Sequence, residues 1–411
     1  MLHPEVAQNR PSRFPVRKRA PHRLGWVLVA LSLATMSAEA TLRLETPWTY
    51  RLFRQHWDTW CPEEHTQPVI QGDIVYIASS HKRLIALHRE KGYILWSRDL
   101  PGSVQGGLTY ARSHLYIADI DGNLLAVNAH NGEIDWKFKT DASFLSAPAV
   151  VRGHVYAMAS SDDLYALSEI DGHEEWHHGR HGDDKMTVYG TSAPVLFGGA
   201  IYQGFSDGVI EALTALHGKS LWYKRIAPPS ATRFIDADTT PSVNEKDLVA
   251  SSFDGTMANF DRLSGSLEWL KPYAVVGGFV ERDGRIFFSA TDHFFYAMER
   301  SSGKILWKTP YADGLGQPPS TAGDYLIFTT SGHEAYILAP EDGHIEATLP
   351  LGAGSFAQAA GNSDGWFYIL TNYGNVVSAR ILGKQPGRDL LNLRRYSAPS
   401  AVLPNYFPLA P

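Results

Sequence analysis

His173, His177, His178 and His181, followed by Asp183 and Asp184, bring metal-ligating side chains into one short span. Imidazole suits zinc, copper or nickel, yet a site needs three or four ligands converging at ~2.0–2.1 Å. On a strand end and the loop after it, this spacing gives no convergence, so a solvated loop is expected and no metal is assigned. Asp119-Ile120-Asp121-Gly122-Asn123 opens like a calcium loop but lacks the bidentate Glu at the twelfth position, and reads as a hairpin turn. The one cysteine, Cys61, cannot form an internal disulfide. Asp58-Thr59-Trp60 before it also lacks the small and aliphatic residues of a lipid-attachment sequence. Asp236 and Asp238, one residue apart beside Arg233 and ahead of Thr239-Thr240-Pro241, can either bond nearby amides in a turn or meet a cationic partner. No catalytic residue and no cofactor is assigned, so the chemistry expected of the chain is binding.

The elements that position these residues are legible as a repeat, the feature to seek first. Gly followed four residues later by Trp occurs at Gly92/Trp96, Gly132/Trp136, Gly172/Trp176, Gly218/Trp222, Gly265/Trp269 and Gly303/Trp307, and a seventh copy runs from Gly343 to Ala347. Successive Trp positions lie 40, 40, 46, 47 and 38 residues apart. Each Gly follows an apolar strand (74–78, 115–118, 155–159, 286–290), a polar turn and a second strand (84–87, 124–127, 164–167, 294–298). Period-two alternation and turns such as Asp121-Gly122, Asn131-Gly132, Asp171-Gly172, Asp207-Gly208 and Asp254-Gly255 mark hairpins, and no sustained 3.6-residue apolar pattern competes. About 40 residues per unit is one four-stranded propeller blade.

The expectation is therefore an all-β, eight-bladed β-propeller of four-stranded antiparallel blades. Seven blades end in the Gly-marked strands. The eighth is closed by N- and C-terminal strands, joining the segment around Trp48 to 366–370 and 376–381, because an open sheet edge must be removed. Each Trp (Trp48, Trp96, Trp136, Trp176, Trp222, Trp269, Trp307) is expected to wedge between blades and bury some 150–250 Å². Ala347 in place of a Trp predicts a looser seventh junction. The aromatic stretch 48–60 reads as the zipping strand and its lead-in loop rather than a membrane contact.

The ends differ from the body. Residues 1–24 carry six Arg or Lys against one Glu, a charge of +5, so the remainder holds −11 of the total −6. Such a body argues against a nucleic-acid binder. The basic segment leads into an apolar run, 24–38, which as a helix of about 1.5 Å per residue spans roughly 22 Å, short of the ~30 Å hydrocarbon core. It meets Ala38-Glu39-Ala40, a small-x-small cleavage pattern. Residues 1–40 are read as a signal peptide or an uncleaved anchor, 41–383 as the propeller, and 384–411 as a flexible tail.

Leu164-Tyr165-Ala166-Leu167 followed by Asp171-Gly172 and Trp176 resembles the PQQ-type (pyrroloquinoline-quinone) propeller repeat, which is specific for fold and weak for chemistry. Quinoprotein dehydrogenases share that repeat, but they hold the quinone against a vicinal-cysteine disulfide, which one cysteine cannot make. Gly106-Gly107-Leu108-Thr109, Gly190-Thr191-Ser192-Ala193-Pro194 and the run from Arg233 to Pro241 resemble BamB-type propellers, subunits of the bacterial β-barrel assembly machinery. The resemblance implies a non-catalytic periplasmic scaffold, peripheral to the outer membrane and monomeric within its complex. Its inter-blade loops would grip the POTRA domains of a BamA-like barrel protein, with unfolded outer-membrane proteins as possible further partners. Asp236 and Asp238 fall on the family's acidic contact positions and Arg233 on its basic one. Met186, Val188 and Tyr189 fall where it carries two apolar residues and an arginine. Tyr189 replaces that arginine, and no lipid-bearing cysteine opens the mature chain. A quinoprotein relative and a generic propeller hub are the competing readings.

Overall fold

Residues 41–53, 63–180, 191–226, 236–253 and 255–385 are described by a computed structural model in which every regular element is a strand. Seven sheets are four-stranded antiparallel meanders, each made from one stretch of chain in order from the axis outward. They are blade 1 (69–99), blade 2 (107–139), blade 3 (149–179), blade 4 (195–225), blade 5 (242–271), blade 6 (280–310) and blade 7 (320–350). Blade 1 runs Val69–Gln71, Ile74–Ser79, Arg83–His88 and Ile94–Asp99, and the others follow it. The short innermost strands, most of two or three residues, touch their counterparts in neighbouring blades, including Val69–Gln71 against Ala360–Gly361 of blade 8. The ring is closed and eight-bladed.

The alternation of apolar residues has a geometric cause. Successive side chains on a strand point to opposite faces, and here each face meets a different blade. Tyr76, Ala78, Leu84 and Ala86 pack with Leu115, Ile117, Leu125 and Val127 of blade 2. Val75, Ile77, Ile85 and Leu87 pack with Tyr368, Leu370 and Val376 of blade 8. The same exchange fills the other six junctions. Middle strands are therefore apolar on both faces, while outermost strands such as Ser220–Arg225 are largely exposed.

Blade 8 combines Ala360–Gly361, Trp366–Leu370 and Asn375–Gln385 with residues from the chain start. The expected single N-terminal strand is two, Thr41–Glu45 and Thr49–Arg51, both paired antiparallel to Asn375–Gln385 (Leu44 opposite Ile381, Tyr50 opposite Val376). Pro47 has no amide to donate and interrupts the ladder. The Trp48 carbonyl keeps its place by accepting from Ser378 N at 3.1 Å. The last strand continues through Lys384 and Gln385, two residues beyond the expected end of the propeller.

The indoles lie where blades meet. Each ring covers the hairpin glycine of the next blade: Trp48 on Gly92, Trp96 on Gly132, Trp136 on Gly172, Trp176 on Gly218, Trp222 on Gly265, Trp269 on Gly303 and Trp307 on Gly343. A Cβ on Gly172 would fall 2.4 Å from Trp136 Cε3, and its φ of +70° already favours glycine. Six indoles also donate to the carbonyl three residues before that glycine, as Trp136 Nε1 does to Glu169 O at 3.0 Å. Trp176 Nε1 is buried without a partner.

The seventh junction is filled rather than loosened. Residues facing Trp across the outer ladder are Ala86, Ala126, Ala166, Ala212, Asn259 and Ala297. Opposite Ala347 stands Ile337, fully buried, so volume has moved from one strand to the other. Leu42 and Leu349 complete that cluster, and Lys384 Nζ reaches Glu346 Oε1 at 2.5 Å.

Candidate functional site

Connections from the outermost strand of one blade to the innermost strand of the next share one end of the ring with the turns between second and third strands. They follow a common scheme. The turn amides of Ile120, Ser160, Thr291, Ser331 and Asn372 donate to Ser103, Ser143, Ala274, Leu315 and Gly354 carbonyls at 2.8–3.1 Å. Phe253 N donates to Asp236 O at 2.8 Å in the same way. The backbone of Asp236 is thus an ordinary part of the fold, while its carboxylate, at a position elsewhere occupied by Ser, Ala, Leu or Gly, is particular to the connection between blades 4 and 5.

That connection is pinned on both sides. Ala237 N donates to Phe205 O at 3.0 Å, and Thr240 N to Gly277 O at 3.1 Å. Thr240 Oγ1 accepts from Ala193 N at 3.1 Å, and Gln203 Nε2 donates to Ser192 O at 2.9 Å. Thr191 Oγ1 bonds Ser146 Oγ at 3.2 Å. The described parts of the two segments singled out by resemblance, 191–194 and 236–241, therefore touch, although Ala193 and Thr240 are 47 residues apart in sequence.

Asp236 is 3% exposed and bonded, and Asp238 lies half-buried two residues on. Burial first, and the neighbouring Asp236 carboxylate second, push the Asp238 carboxyl up to about 7; the Asp238 and Thr239 amides, donating to it, offset part of the rise. The site can accept a positive charge at the cost of one proton. Met186, Val188, Tyr189 and Arg233 lie outside the described residues, as do Cys61, residues 1–40 and 386–411.

The histidines do not converge. His173 meets Asp171 at 2.7 Å and His177 meets Glu174 at 2.7 Å. His178, adjacent on the strand Glu174–Gly179 and so on its other face, meets Glu211 of blade 4 at 3.3 Å. Arg180 joins it there, bonding Glu211 at 3.0 Å and Asp207 at 2.9 Å. His177 and His178 lie on the strand and the exposed His173 just before it, each with its own carboxylate partner; His181, Asp183 and Asp184 fall outside the described residues. Asp119 closes its hairpin by accepting from Asn123 N at 2.8 Å and Asn123 Nδ2 at 2.7 Å.

One concave feature was not foreseen. At the opposite ends of the strands, between blades 3 and 4, a cavity of about 300 Å³ is lined by Val151, Arg152, His154, Leu196, Phe197 and Leu216, among others. Aligning the residue three before each hairpin glycine, which reads Arg89, Ala129, Glu169, Ala215, Arg262, Arg300 and Pro340, would have drawn attention to it, because a carboxylate next door becomes a methyl here.

A family profile described as outer membrane protein assembly factor BamB matches residues 46–141 and 94–309. A protein of that name from Legionella pneumophila is 35% identical over 314 residues, 75% of this chain and 81% of its own length. One from Pseudomonas aeruginosa is 36% identical over 321 residues, 77% of this chain and 84% of its own. The crystal structure of BamB from Moraxella catarrhalis superposes with a TM-score of 0.71 at 21% identity, covering 82% of this chain and all of that one. Quinohemoprotein alcohol dehydrogenase from Comamonas testosteroni superposes with a TM-score of 0.69 at 14% identity over 84% of this chain and 77% of its own, a likeness of fold alone.

Proposed function

Because this chain belongs to the BamB family of outer membrane protein assembly factors, we propose that it is the propeller subunit of a barrel assembly machinery, working in the periplasm by binding and without bond-making chemistry. The ring is a rigid frame, and its business end is the pair of touching segments 191–194 and 236–241 with the loops that flank them. The observation that carries this reading is the carboxylate pair of buried Asp236 and half-buried Asp238, the first set on a backbone position that needs no carboxylate to fold. Burial and the neighbouring Asp236 carboxylate push the Asp238 carboxyl up, and a basic group on the POTRA domains of a BamA-like protein would favour its charged form. A body of net negative charge steers such a partner.

The test is titration of the purified chain against the POTRA domains of its own BamA. Asp236→Ala combined with Asp238→Ala is expected to weaken binding by about tenfold or more; undiminished binding defeats the docking assignment. Proton linkage adds a second readout. A cation at the site lowers the Asp238 pKa, so affinity rises as pH goes from 6 to 8, and Asp238→Asn flattens the rise. For folding the sign is opposite. The folded chain holds its proton up to about 7, whereas the unfolded carboxyl releases it near its ordinary 3.8. Stability therefore falls as pH rises between those values, and Asp238→Asn is expected to raise the stability measured at pH 8 in denaturant titrations.

A further inference from the structure

The junctions between blades 2 and 3 and between blades 3 and 4 are built from the same parts. Arg112 and Arg152 hold the turn after the innermost strand, with φ of +46° and +52°. His114 and His154 follow, each bonded to an acid on the outermost strand, Asp135 at 2.7 Å and Glu175 at 2.5 Å. Tyr116 and Tyr156 come next on the same strands. The difference lies in the neighbouring hairpin. In the first junction the Glu169 carboxylate, 8% exposed, takes Arg112 NH1 at 2.7 Å and the Tyr116 hydroxyl at 3.2 Å. In the second its place is held by Ala215. Tyr156 turns its hydroxyl to Ala215 O at 3.1 Å, and Arg152 has no ion pair or hydrogen bond among the described residues.

Beside Ala215 lies the cavity of about 300 Å³, with Arg152 on its wall. His154, already paired with Glu175, and Tyr156 also line it, and the rest of the wall carries the apolar side chains Val151, Leu196, Phe197 and the half-exposed Leu216. At its rim Gly199 has open space where a side chain would stand, so a passing backbone can come close. This junction also holds the one indole of the seven whose N–H is unpartnered, Trp176. A lone guanidinium calls for an acid, and its apolar surroundings call for a hydrophobic group beside that acid.

We infer that the cleft between blades 3 and 4 receives a Glu or Asp side chain flanked by an aromatic or aliphatic residue, presented by an extended segment of a partner protein in the position that the chain's own Glu169 fills one junction away. This site lies at the end of the ring opposite Asp236 and Asp238 and is independent of them.

The probe is a fluorescein-labelled peptide, blocked at both ends, with a Phe-Glu pair between Gly and Ser residues, titrated by anisotropy against the full chain. Saturable binding is expected. It should weaken by about tenfold or more with Arg152→Gln, with a Phe-Gln peptide, and with Ala215→Glu, which rebuilds the internal carboxylate. Asp236→Ala should leave it unchanged, and Glu169→Ala should open a second site and raise the stoichiometry towards two. Equal binding by Arg152→Gln or by the Phe-Gln peptide overturns the proposal. So does equal competition by inorganic phosphate, which marks a bare anion site, or a preference for a peptide whose only acid is its free chain terminus. Because Arg152 is exposed on a turn, Arg152→Gln is expected to fold, so the result stands even if Ala215→Glu does not.

Discussion

Seven junctions of the ring are sealed by an indole lying on a glycine, and one, between blades 7 and 8, is not. The contrast shows what the indole needs. Its ring covers a hairpin turn whose glycine leaves room, and in six of the seven its N–H uses a carbonyl in that same turn. Blade 8 has no such turn, because its third strand ends near Gln385 and its outermost strand begins at Thr41. With no platform to cover, a Trp at position 347 would have nothing to land on. The sequence carries Ala there, and the facing residue grows from Ala to Ile337. A covalent hairpin and a closure between chain ends thus require different side chains at one repeat position.

Four substitutions break or sharpen this contrast. Trp136→Ala removes a nearly buried indole, its hydrogen bond to Glu169 O and its cover over Gly172, and should cost about 3–5 kcal/mol in urea titrations. Gly172→Ala attacks the same contact from the other side, forcing a Cβ against the ring at positive φ; about 2–3 kcal/mol is expected. Ala347→Trp tests the closing junction. It should destabilise by about 1–3 kcal/mol through overpacking, and adding Ile337→Ala should return part of the loss, a coupling that a double-mutant cycle measures. Two additive effects would refute the volume exchange. Lys384→Ala leaves the Glu346 carboxylate, 7% exposed, without its ion-pair partner and should cost about 1–3 kcal/mol, read as a fall in the thermal midpoint.

The architecture was legible because its signal is periodic. Gly-x-x-x-Trp repeated at blade length fixed the count, and the spare Trp48 located the closure. The innermost strands were not readable individually. Segments such as Val69–Gln71, Ser242–Val243 and Ala360–Gly361 are too short for alternation to show, and the fourth strand followed only from the size of the unit. Pro47 could have announced the break in the outermost strand of blade 8. At the site, Asp236 and Asp238 stood out through their proximity to each other and the extra length of their unit. Their contact with 191–194 was invisible, since it depends on Thr240 reaching Ala193 across neighbouring blades. The Arg152 cleft escaped notice for the opposite reason: its mark is an acid that is missing, and absences emerge only when the copies are aligned.

Closure between chain ends also has a kinetic side. Arg51 Nε donates to Asn375 Oδ1 across 324 residues of sequence. The first strand can therefore be sealed only after the intervening chain is in place. Until then the ring is an open arc with unsatisfied backbone at its seam, the condition in which strand edges recruit neighbouring molecules. Contacts of such long range also slow the final step. Helpers that shield nascent chains would therefore act on this molecule chiefly before its last sector emerges, and the completed circle would release them.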